Sequence, residues 1–303
     1  MFEGFKQATY RCNGIDIHAT VGGNGPPVLL LHGFPQTHAM WAKVAPILAK
    51  NYTVVCSDIR GYGNSGKPPA NNDLSNYSFR EMAKDQLELM QQLGFNQFHM
   101  IGHDRGARVT HRLSLDHPEV LLSVSLLDII PLHDVFSKVD RHIAKAYWHW
   151  YFLQQPAPYP EDIILANPDR FYEGCLFGWG AANLESFDSE QLAAYRQAWR
   201  QKDTIYGSCA DYRAAASVDF LMDEQDLNKQ VAVPALVLWG ANGIMGKLFS
   251  MQDAWSRIYP NLVTESIPGG HFFVDQFPVE TANKLLNFLE TSQQIQKTLS
   301  QKP

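Results

Sequence analysis

Residues 98–109 read FHMIGHDRGARV. The start, Phe98 to Ile101, apolar except for His99, has the texture of a strand buried on both faces of a parallel sheet. It runs into a Gly-x-Asp-x-Gly turn, Gly102 to Gly106, and then into a helix expected to begin near Arg105. A tight strand-turn-helix needs small residues on either side of its apex, because the backbone packs closely there and the apical residue is strained and exposed above the sheet. The helix start behind the apex favours negative charge. Asp104 at that apex either caps the helix or is a reactive carboxylate, and the rest of the chain discriminates between the two.

Outward from this turn, the first 130 residues alternate short apolar runs with helical spacing. PPVLLLHGFP (26–35), YTVVCSDIRGYGNS (52–65) and LLSVSLLDII (121–130) read as further buried strands, and Ala83, Leu87 and Met90 recur at helical spacing between Phe79 and Leu93. VPALVLWGAN (233–242) and VTESIPGGH (263–271) supply a fifth and a sixth strand, followed by a helix carrying Ala282, Leu285, Leu286 and Leu289. This alternation predicts an α/β fold, a mostly parallel sheet flanked by helices. Residues 132–228 break the rhythm. They are aromatic and helix-like (AYWHWYF, FYEGCLFGWG), with a proline-rich interruption at QQPAPYP. The expected organisation is a core domain of 1–131 and 229–303 with a helical cap, 132–228, inserted between two strands. The cap would lie over the C-terminal strand ends, where open parallel sheets bind ligands.

With 45% hydrophobic and 18% charged residues over 303 positions, the composition is that of a globular chain with a large core. A formal charge of -6 and the absence of any basic run argue against a nucleic-acid partner. No signal-peptide pattern opens the chain, and no apolar run approaches the roughly 20 residues of a membrane helix. Cys12, Cys56, Cys175 and Cys209 are widely spaced, with no CxxC pair. They read as reduced thiols of a cytoplasmic protein rather than a disulfide frame or metal site.

LLLHGFP (29–35) places His-Gly after a buried strand, where a loop can turn a backbone N–H toward the apex, and His271 follows PGG late in the chain. With Asp104 and the cap insertion, these features resemble the α/β-hydrolase superfamily over nearly the whole length, in its chain order of nucleophile, acid and histidine. That resemblance implies an α/β-hydrolase fold. Aspartate in place of serine at the apex has a chemical meaning. Serine attacking a saturated carbon leaves an ether, whereas a carboxylate leaves an ester that a histidine-activated water can hydrolyse. The turn therefore points to displacement at sp³ carbon, by dehalogenation or epoxide opening. His271 is the expected general base, and it needs a carboxylate to orient it. The loop after VPALVLWG, the commonest place for that acid in the superfamily, reads ANGIMGK with Asn242 and no acid. SLLDIIP offers Asp128 at the end of an apolar strand, where a carboxylate needs a partner.

Arg105 and Arg108 crowd behind the apex. Such cations can tie down the turn by ion pairs, or they can bind a carboxylate on the substrate with their planar forks. In the second role they offset repulsion between two anions, about 4 kcal/mol at 4 Å with an effective dielectric of 20. GHDRGAR, LLDI, YWHW and ADYRA together resemble the haloacetate dehalogenases, the fluoroacetate dehalogenases in particular. The resemblance implies that Arg105 and Arg108 bind the substrate carboxylate. It also implies that His149, Trp150 and Tyr212 bind the halide, and that the backbone N–H groups of Phe34 and Arg105 form the oxyanion hole. It suggests a homodimer as well. On composition alone YWHWYF reads as cap core, and Trp179 is left unassigned. The expected partner is a small-molecule haloacid, with no metal or organic cofactor, no nucleic acid and no membrane. Two rivals stand beside this reading. One is an epoxide hydrolase using Tyr147, Tyr151 or Tyr212 as acids, and the other is a non-catalytic binder on the same fold.

Overall fold

The structure, a computed structural model, describes residues 1–179 and 183–300. Eight strands form one sheet: β1 (Lys6–Cys12), β2 (Ile15–Gly22), β3 (Pro27–Leu31), β4 (Thr53–Ser57), β5 (Phe98–His103), β6 (Leu121–Leu127), β7 (Ala235–Gly240) and β8 (Leu262–Ile267). Their spatial order is β1-β2-β4-β3-β5-β6-β7-β8. All pairs from β4 to β8 are parallel, while β2 pairs antiparallel with both β1 and β4.

The six expected strands are present, and β1 and β2 are added to them. They form a hairpin whose turn, Asn13-Gly14, has positive φ at both residues (45° and 78°), as a two-residue type I′ connection requires. A search for apolar runs passes over it because β1 is an edge strand, KQATYRC, exposed along most of its length. The central strands behave as their composition dictates. Val28 to Leu31 and all of β5 are buried, and the half-exposed LVTESI forms the other edge.

Between β6 and β7 every described element is helical, from Leu132–Ser137 to Phe220–Gln225. Residues 180–182 of the expected cap lie outside the described residues. These helices rest on the C-terminal edge of the sheet. Asp211, on the helix Lys202–Ala214, bonds Arg105 and Tyr62, and the Trp179 carbonyl accepts the His271 N–H at 2.9 Å.

The helix Arg105–Asp116 follows β5 directly. Asp104 between them holds φ 49°, ψ −113°, a strained conformation for a residue with a Cβ. Its glycine neighbours are required by contact. A Cβ on Gly102 would lie 2.3 Å from the Gly106 carbonyl oxygen, and one on Gly106 would lie 2.5 Å from that of His32. The turn thus threads between β3 and its own helix with no room for a side chain.

Candidate active site

Asp104 makes no side-chain capping bond to its helix. Its Oδ1 instead accepts the Phe34 N–H at 2.9 Å. Phe34 follows β3, and its loop is anchored from the β4 side. Asp58 accepts the His38 N–H at 2.8 Å and pairs with the His38 ring at 2.9 Å, and the Ile59 N–H donates to His32 Nε2 at 3.1 Å. The residue as a whole is 6% exposed. Burial pushes its pKa upward, but the His271 imidazole, His103, Arg105 and the Phe34 N–H outweigh that and hold it below the ordinary aspartate value.

His271 lies beyond β8, with Nδ1 2.6 Å from Asp128 Oδ2. Its Nε2 stands 3.8 Å from Asp104 Oδ2 and has no hydrogen-bond partner. Asp128 closes β6 at a positive φ of 53°, and its other oxygen accepts the Gly240 N–H at 3.0 Å. Its carboxylate is thereby fixed from two strands. The His271 carbonyl accepts from His103 Nε2 at 2.8 Å, so the ring is held at both backbone and side chain. Burial lowers the His271 pKa, but the bond to Asp128 and the charges of Asp128 and Asp104 carry it above its ordinary value. Asn242, in the loop where the acid usually sits, is exposed.

The two arginines separate. Arg105 is buried against Asp211, with Nε donating to Oδ2 at 2.8 Å, Nη2 donating to the Asp211 carbonyl at 3.1 Å and a further short contact to Oδ1. The Tyr62 hydroxyl donates to the same carboxylate at 2.6 Å. Arg105 therefore pins the turn to the cap, as an ion-pair role for these cations expects. Arg108 does not. Its Nη1 donates to the Ile130 carbonyl at 3.2 Å, while Nε and Nη2 are buried with no partner. Burial, with the charge of Arg105 behind it, lowers the Arg108 pKa to about 10. A buried guanidinium with two idle donors is a costly arrangement that a ligand carboxylate relieves. Asp211 is the residue that the sequence reading missed. Its signal was an acid inside ADYRA, one position before Tyr212 on a helix facing the sheet.

Phe34 also joins the cap side chains. Its ring lies 5.1 Å from Tyr212, 5.8 Å from His149 and 6.5 Å from Trp179, centroid to centroid. His149 Nδ1 and the Tyr212 hydroxyl are buried without partners. Burial drives the His149 pKa well below its ordinary value and the Tyr212 pKa well above, so both are neutral donors near Asp104. Trp150 packs on Tyr147 and sits with its ring 5.3 Å from the Arg108 guanidinium. Trp179 packs with its ring tilted against His149 at 4.1 Å and meets His271 edge-on at 5.5 Å, a wall position that the sequence left open. Tyr147 is buried among these rings, whereas Tyr151 is only half-buried.

Residues 26–278 match the family described as the alpha/beta hydrolase fold. The chain is 57% identical over 289 residues, 95% of each protein, to a fluoroacetate dehalogenase from Burkholderia sp. A soluble epoxide hydrolase from Corynebacterium sp. (strain C12) is 28% identical, over 90% of this chain and 94% of its own. Among solved structures, an α/β hydrolase from Nostoc sp PCC 7120 superposes with a TM-score of 0.94 at 44% identity, covering 95% of this chain and 99% of its own. The parallel sheet under helices agrees with the matched fold, and the chain belongs to the α/β-hydrolase superfamily and, within it, to the fluoroacetate dehalogenase family.

Proposed function

We propose that this chain is a haloacetate dehalogenase, converting fluoroacetate or chloroacetate to glycolate and halide through an aspartyl ester. The supporting observation is Arg108, a buried cation with two unpartnered N–H donors beside a buried anionic apex. An epoxide or haloalkane is neutral and has no use for that charge, whereas a haloacetate brings the carboxylate that completes it.

Arg108 seats the carboxylate, joined by Arg105, whose guanidinium Asp211 aims. Asp104 Oδ2 then attacks the α-carbon in line, and the carbon-halogen bond breaks with its electron pair leaving on the halide. His149, Trp150 and Tyr212 receive that ion. Three neutral donors replace part of the hydration that fluoride, a poor leaving group, otherwise requires. Oδ1 becomes the ester carbonyl oxygen, already on the Phe34 N–H, and the Arg105 N–H at the helix start completes the oxyanion hole. In the second step His271 Nε2 takes a proton from water. The resulting hydroxide attacks the Asp104 carbonyl carbon, the ester bond to the glycolate oxygen breaks as His271 returns its proton to that oxygen, and the regenerated Asp104 carboxyl gives up its proton to solvent. Asp128 holds Nδ1–H and stabilises the transient imidazolium. The carboxylate and imidazole supply both the nucleophile and the base, so the hydrolysis calls on no cofactor.

In this reading residues 132–228 are a cap on a core of 1–131 and 229–303, and the buried, unpaired cysteines suit a cytoplasmic setting. No described helix is long and apolar enough to cross a membrane. The test is halide release from fluoroacetate and chloroacetate by wild type and Asp104→Asn, with styrene oxide as control. Release that disappears in the variant supports the reaction and its nucleophile. Epoxide opening with neither acid consumed would sink the assignment. His271→Ala should accumulate a carboxymethyl group on Asp104, detectable by mass.

A further inference from the structure

Asp104, Arg108, His149 and His271 are all buried, so an incoming acid must pass between cap and core. Trp179 marks where. Its indole walls the site, against His149 and His271, and it also lines an outer cavity of about 420 Å³. Trp179 is thus common to that cavity and to the rings around the reactive groups. His142, Lys145 and the exposed Trp148 form its cap side, and Lys247 and Leu248, from the segment after β7, form its core side.

The charge of this cavity is distinctive. It is lined by two lysines and a histidine with no carboxylate, on a chain of formal charge -6. The cavity of about 510 Å³ beside Lys202 and Arg213 also carries Glu161 and Asp203, and that of about 540 Å³ near Arg257 also carries Asp134, Asp140 and Asp253. The Lys247 ammonium is tethered at the rim by the Asn242 carbonyl, 2.8 Å away. A cleft lined by one sign of charge raises the local concentration of the opposite ion and its on-rate. The cavity is far larger than a haloacetate, so it serves passage rather than tight binding.

We infer that this cavity is the vestibule through which small carboxylate anions enter and leave, steered by Lys145 and Lys247 and admitted past Trp179. The inference rests on the haloacetate reading above. Its test separates route from reaction. Fluoroacetate association is followed by stopped-flow tryptophan fluorescence in an Asp104→Asn background, where the ligand is not consumed. Chloroacetate turnover is measured with Asp104 intact. Lys145→Glu/Lys247→Glu should lower the association rate about tenfold at low ionic strength, with the difference closing at high salt and kcat unchanged. Ala146→Trp, which fills the vestibule from the cap wall, should slow association and dissociation together and leave Kd unchanged. Unchanged association rates in both variants would overturn the vestibule. A fall in kcat with no salt dependence would do the same, by showing a packing defect. Wild type that binds carboxylates through this route but releases no halide would instead refute the haloacetate reading alone.

Discussion

Replacing Arg108 by methionine should stabilise the protein and disable it. The ordinary arginine pKa of 12.5 falls to about 10 at this buried position. Between those values the unfolded chain binds the extra proton, so stability rises with pH across that window. At neutral pH the full penalty is present, about 3 kcal/mol at 1.36 kcal/mol per unit. Methionine keeps the apolar stem and removes the charge. Against this stand the donor lost by the Ile130 carbonyl, about 1 kcal/mol, and the contact with the Trp150 ring, about 0.5 kcal/mol. The net expectation is a gain of about 1–2 kcal/mol, which at a urea slope of about 3 kcal/mol per molar moves the midpoint up by roughly 0.5 M. The substrate carboxylate meanwhile loses a buried charged partner, a cost of about 2–5 kcal/mol, or roughly 30- to 5,000-fold in kcat/KM. Urea unfolding and halide-release kinetics on the same preparation decide the matter. A variant that loses stability along with activity would show that Arg108 holds the fold. One that gains stability and keeps turnover would show that the carboxylate binds elsewhere.

His271 must be neutral to accept a proton, and its pKa lies above 6.5, so the free enzyme should titrate at a pH above that value. In the alkylated enzyme Asp104 carries no charge, which removes one of the influences raising that pKa. The acid limb of kcat should therefore fall at lower pH than the His271 titration seen by NMR in the free protein. Tyr212→Phe deletes a hydroxyl that has no protein partner, so stability should stay within about 0.5 kcal/mol of wild type. Fluoride release should slow by about 10²-fold, the scale of one lost transition-state donor, and chloride release by much less. Equal slowing of both would remove Tyr212 from halide stabilisation. Gly106→Ala forces a Cβ to within 2.5 Å of the His32 carbonyl oxygen, and should cost at least about 3 kcal/mol in thermal or urea unfolding. A variant as stable as wild type would mean the turn is looser than described.

The core strands and the turn at Asp104 were legible because each depends on local pattern. Buried parallel strands are written as apolar runs, and the turn at Asp104 as glycines at two offsets, since no other residue fits between β3 and the helix. The pairing of His271 with Asp128 was legible by vacancy, from an acid missing after β7 and a polar residue stranded at the end of β6. The hairpin β1–β2 was equally local, marked by Asn13-Gly14, but its edge strand has no apolar run to attract notice. The cap is different. Its helices bury aromatic side chains against one another and against Phe34, so a core-packing tryptophan and a pocket-lining one have the same sequence texture. Trp150 and Trp179 are told apart only by what lies beneath them.

The charge of the site shows the same limit and its consequence. GHDRGAR displays two cations beside one anion, which reads as a pocket with a net attraction for carboxylates. Folding brings Asp211, about a hundred positions away, onto Arg105 and balances that charge while holding the guanidinium in place. One uncompensated guanidinium remains, on Arg108. That balance suits a reaction whose product carries the same carboxylate as its substrate, because every increment of binding at that end delays release as much as it favours capture. The halide end follows the same logic. In the proposed reaction His149 and Tyr212 are neutral donors rather than cations, so they would shelter the departing ion as it forms and still let it go. In the proposed reaction Arg108 would meet the carboxylate and His149 with Tyr212 the halide, so both ends of the substrate would be met only where the sheet and the helices between β6 and β7 come together.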